Sequence, residues 1–79
     1  MSLTYKELAA AVAKKVENPA EWLWTLRRLV EMAGADVTRF VPINSNTLDM
    51  ACYSLLDGLG KHRPLHDKFQ QVITDWASD

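Results

Sequence analysis

Apolar residues along this chain recur at intervals of three and four, the spacing of one face of an α-helix. No stretch of useful length alternates with the two-residue period of a strand. Tyr5, Leu8, Ala9, Val12 and Val16 make the first stripe. Thr4, with Glu7 three positions on, has the capping-box arrangement: the hydroxyl accepts from a free helix amide and the carboxylate reaches back. Lys14 and Lys15 suit the negative end of the helix dipole. The first helix is therefore predicted from about Thr4 to Val16.

Asn18-Pro19-Ala20-Glu21 is the strongest start signal in the chain. Asn18 can cap, Pro19 sits where a helix needs no amide, and Glu21 favours the dipole. The second helix runs to Ala33, and Gly34 ends it in the left-handed conformation that glycine adopts at little cost. Trp22, Leu23, Leu26, Leu29, Val30 and Ala33 share its inner face. At about 100° per residue, Trp24 points away from that face, towards Arg28 and Glu31.

Val37, Phe40 and Val41 predict one short helical turn, limited by Pro42. After the polar break Asn44-Ser45-Asn46, with Asn46 or Ser45 as cap, the third main helix carries the stripe Leu48, Cys52, Leu55, Leu56 and Leu59. Met50 and Tyr53 lie off that stripe, on the side of Asp49 and Asp57. Gly58 weakens this helix and Gly60 stops it. Lys61-His62-Arg63 reads as a basic loop, and Pro64 begins a last helix with Leu65, Phe69, Val72, Ile73 and Trp76 on one side, ending near Ala77. The expected fold is all-α: a small bundle of four main helices plus a short connecting helix, spanning residues 1–79 as one interaction domain.

Composition narrows the functions. With 79 residues, 48% of them hydrophobic and 24% charged, the chain is an ordinary globular one with a thin core. Its stability should be about 5 kcal/mol, which leaves little to hold a strained active site. A net charge of −1 argues against general binding to nucleic acid or anionic membranes. No signal peptide or membrane-length apolar run is visible, and one cysteine makes no internal disulfide, so a cytoplasmic location is expected.

Candidate chemistry is sparse. His62 and His66 stand four apart, but Pro64 intervenes, and with Asp67 as a third ligand no fourth is evident for zinc. They read as solvated surface histidines. Cys52 falls on an apolar stripe, where cysteine acts as a small hydrophobe rather than a nucleophile. No Gly-rich phosphate loop occurs. No Lys or Arg lies between Thr47 and Gly60, and the last helix carries only Lys68, so a basic recognition helix is lacking. The expectation is no catalytic residue, no metal and no cofactor. What remains is Trp24 beside Arg27, Arg28 and Glu31, since Trp and Arg dominate binding hot spots. The competing reading packs Trp24 against a neighbouring helix or the segment around Phe40.

The order of these motifs resembles the effector-associated domains of bacteria, which are similar to death-fold and caspase-recruitment modules. An apolar helix ends in Ala-Gly (Leu26, Leu29, Val30, Ala33, Gly34) and a basic-apolar pair follows (Arg39-Phe40). Then come a Leu-Leu pair with Leu one turn on (Leu55-Leu56, Leu59), a Gly-basic break (Gly60-Lys61) and a Leu-led last helix (Leu65, Phe69, Val72). The resemblance covers roughly residues 4 to 77. Two places depart from it: Met50-Ala51 stands where the family often has tryptophan, and Asp75-Trp76-Ala77 where it often has Tyr-Pro.

The resemblance implies a death-like adaptor that is not an enzyme. Its partner would be another protein with a similar helical domain, a second copy included, in bacterial defence or signalling. The expected partner-binding residues are Trp24, Arg27, Arg28 and Glu31 in one patch and Lys61 and Arg63 in another. Membrane and nucleic acid are not expected partners. Two alternatives stand beside this reading: a small DNA-binding regulator, and a non-catalytic subunit of a larger enzyme.

Overall fold

A computed structural model describes residues 3–41 and 47–78. The helices are α1 (Tyr5–Lys15), α2 (Trp22–Met32), the short α3 (Val37–Phe40), α4 (Leu48–Leu59) and α5 (Arg63–Ser78), with a 3₁₀ turn at Pro19–Glu21. Among the described residues there is no strand. The all-α bundle of four main helices and one short connector is the one the periodicity predicts.

Local chemistry sets the boundaries. The Thr4 hydroxyl accepts from the Glu7 amide at 3.1 Å, and the Glu7 carboxylate accepts from the Thr4 amide at 3.1 Å, completing the capping box. Asn18 Oδ1 accepts from the Ala20 amide at 3.1 Å, and Pro19 begins the 3₁₀ turn that leads into α2. At the far end of α2, Gly34 has φ +81°. The Ala35 amide reaches back to the Val30 carbonyl (3.1 Å) and the Gly34 amide to that of Glu31 (2.9 Å), the two bonds of a Schellman motif.

Two boundary expectations are corrected. The cap of α4 is Thr47, whose hydroxyl accepts from the Met50 amide at 3.1 Å; Asn46 and Ser45 lie outside the described residues, as does Pro42. Lys61-His62-Arg63 is not wholly loop. Arg63 is already helical, because the His62 carbonyl accepts from both the Leu65 and His66 amides and so starts α5.

The stripes meet in one buried cluster. Leu8, Val12, Leu26, Leu55, Leu59 and Phe69 are fully buried, joined by Cys52, Ile73 and Phe40. Each such aliphatic or aromatic side chain contributes about 1.5–3 kcal/mol by leaving water. α1 packs chiefly against α4, and α2 chiefly against α5. Trp22 joins α1 to α2: half-buried, its indole N–H donates to the Val16 carbonyl at 3.0 Å. Leu3 is tied to α5 through its amide, which donates to Gln70 Oε1 at 2.8 Å.

Candidate interaction surface

With the inner stripe of α2 committed to the core, its outer arc carries Arg27, Glu31, Trp24, Arg28 and Met32 over about 140° of the helix circumference. Trp24 is 67% exposed and Met32 64%. The reading in which Trp24 packs on a neighbouring helix or on Phe40 is therefore wrong. Phe40 is buried elsewhere, against the His62 ring (centroids 5.5 Å apart, edge to face). The Arg27 guanidinium lies 5.7 Å from the Trp24 ring centroid, within the range of a cation–π contact. Arg28 and Glu31 are exposed on the same arc.

Arg28 also lines two open hollows, one of about 380 Å³ between α2 and the C-terminal ends of α1 and α5, and one of about 700 Å³ between α2 and the connection from α1. Lys15 lines both as well. Its ammonium sits 5.0 Å from the Trp76 ring centroid and donates to the Trp76 carbonyl. Met32, Lys15 and Trp76 thus extend the Trp24 patch. Met32 was open to sequence reasoning, since it stands eight residues beyond Trp24 and so only about 80° around the helix.

Lys61 and Arg63 are exposed at the turn between α4 and α5, apart from the Trp24 arc in the chain. The structure adds two residues to this second patch. Arg39 Nη2 lies 3.2 Å from His62 Nε2; a guanidinium only donates, so the imidazole nitrogen accepts. The Arg39 guanidinium also lies 5.4 Å from the Phe40 ring centroid. His62 and His66, expected as solvated surface histidines, are half-buried. His66 Nδ1 accepts from the Gln70 amide at 3.1 Å.

The remaining candidates are structural. Cys52 is fully buried, and burial, followed by the Asp49 charge, pushes its thiol up to about 12. The Asp36 carboxyl is held below its ordinary value by hydrogen bonds from the Thr38 hydroxyl and amide, at 2.7 and 2.9 Å. It caps α3. Among the described residues no three of His, Cys, Asp and Glu are placed to hold a metal ion, and no helix is long and apolar enough to cross a membrane.

Across known proteins, the chain matches no family model, no curated protein and no solved structure.

Proposed function

We propose that this chain is an adaptor module that recruits a protein partner through the outer arc of α2. The carrying observation is Trp24, 67% exposed with the Arg27 guanidinium against its ring and Met32 on the same arc. An indole held in water is an unused reservoir of binding energy, and aromatic side chains beside arginine are the usual energetic centres of protein interfaces. Arg28 and Glu31 on its flanks give the contact its charge pattern, which sets partner choice and encounter rate. Lys61 and Arg63 form a second, basic contact region. The motif order shared with bacterial effector-associated domains supports a like-with-like contact between helical domains, in a cytoplasmic defence or signalling assembly.

The test compares the wild-type domain with Trp24→Ala in affinity capture from host lysate, with nuclease added, quantified by mass spectrometry. The substitution removes an exposed ring, so the fold should persist. The reading requires that a protein partner be captured by the wild type and lost, by about tenfold or more, with the variant. Equal capture by both, or an unfolded variant, ends it.

A further inference from the structure

Four large apolar side chains are exposed among the described residues, and they divide between two helices: Trp24 and Met32 on α2, Met50 and Tyr53 on α4. The balance of charge around them is opposite in sign. The α2 pair is flanked by Arg27 and Arg28, with Lys15 at the edge of the adjoining hollow, and these outweigh Glu31 on the same arc. The α4 pair is flanked by Asp49 and Asp57, and α4 holds no Lys or Arg from Leu48 to Leu59. At 100° per residue, Asp49, Tyr53, Asp57 and Met50 fill one continuous arc of about 100°, the side opposite Leu55 and Leu59. These charges are not used up within the chain: among the described residues no Lys or Arg pairs with a carboxylate.

From this complementarity we infer that the occupant of the α2 face is the α4 face of a second copy of this chain. This rests on the reading of α2 as a recruiting surface and names its partner. Met50 and Tyr53 cover Trp24 and Met32, while Asp49 and Asp57 meet Arg28 and Arg27. Tyr53 is braced for this by Tyr5, whose ring meets it edge to face at a centroid distance of 5.3 Å. The two faces are unlike, so the pairing is either reciprocal, closing a two-fold dimer, or one-way, running head to tail into a ring or an open filament.

The test is analytical ultracentrifugation of the purified chain over rising concentration, with Arg27→Glu/Arg28→Glu and Asp49→Arg/Asp57→Arg as the two variants. Circular dichroism confirms that both stay folded; all four positions are on the surface. The wild type is expected to form dimers or larger species, fewer at high salt because the contact is electrostatic. Each variant has lost one face and is expected to self-associate at least about tenfold more weakly. Mixed together, the two variants are expected to associate again, because the α2 face of Asp49→Arg/Asp57→Arg and the α4 face of Arg27→Glu/Arg28→Glu are both intact. Association regained in the mixture is the decisive result. A wild type that stays monomeric up to on the order of 1 mM, or a mixture that associates no better than either variant alone, overturns the inference. If the wild type is monomeric while Trp24→Ala still loses a captured protein, the recruiting surface stands and its partner is a different chain.

Discussion

Phe40 lies against the backbone of α4 at Gly58: a Cβ built on that glycine would sit 3.4 Å from Phe40 Cδ1. A side chain no larger than a methyl group at this position lets α3 close over α4. Glycine inside a helix costs about 1 kcal/mol relative to alanine, and 3.4 Å is tight but attainable for a methyl group. Gly58→Ala should therefore stabilise the domain by up to about 1 kcal/mol. Gly58→Val should displace Phe40 and destabilise by roughly 1–3 kcal/mol. Urea midpoints for the two variants check this, and a loss on Gly58→Ala would show that Phe40 has no room to yield.

Gly34 gives the opposite sign. Its φ of +81° is left-handed, and nothing lies within 4 Å of an added Cβ. The cost of Gly34→Ala is then purely one of backbone conformation, about 1–2 kcal/mol. Gly34→Asn, which tolerates this region better, should recover part of it. Thermal melts of both variants against wild type are the measurement, and equal stability of alanine and glycine here would contradict the account.

Two tryptophans two positions apart should respond differently. Trp22→Phe deletes the indole N–H that satisfies the Val16 carbonyl at the end of α1, and should cost about 1 kcal/mol. Trp24→Phe touches an exposed ring and should change stability by no more than about 0.5 kcal/mol. Chemical denaturation separates them, and similar losses at both positions would mean that Trp24 carries structural load.

Cys52 makes stability depend on pH at the alkaline end. The unfolded thiol titrates near 9.0, whereas in the fold burial and the Asp49 charge push it up to about 12. Above pH 9 the unfolded chain releases a proton that the folded chain keeps, so this contribution is complete below that pH and is lost as pH rises from 9 towards 12. Cys52→Ala should lose less stability across this window than wild type does. The native thiol should also resist a thiol reagent at neutral pH and react only on unfolding. Parallel alkaline denaturation curves for the two proteins would dismiss the assignment.

Features written in short stretches of chain were the most legible. The Thr4–Glu7 capping box, the Gly34 helix stop and the turn at Val37–Phe40 each depend on neighbours within a few positions. The exposure of Trp24 follows from rotation around one helix. The cap of α4 was misplaced because Ser45, Asn46 and Thr47 are all capping residues. Local preference cannot rank them, whereas burial of Leu48 fixes where the first turn must begin. The Arg39–His62 contact is hidden for the converse reason: the two residues are 23 apart in sequence, and no helical period reports such a contact. In the candidate surface, the α2 residues were legible as an arc, but the hollow formed with Lys15 and Trp76 depends on where α1 and α5 end in space.

The pairing of α1 with α4 constrains how the molecule is assembled. An 11-residue helix is too short to persist alone in water, where about 12–15 residues are marginal even in favourable sequences. Leu8 and Val12 find their main cover only when α4 arrives, after a loop holding α2 and α3 has closed. A chain halted before Leu48 is thus left with a first helix held only by its smaller contact with α2 around Trp22. Order at the start of the sequence is granted from its second half, and the bundle forms and melts as one cooperative unit.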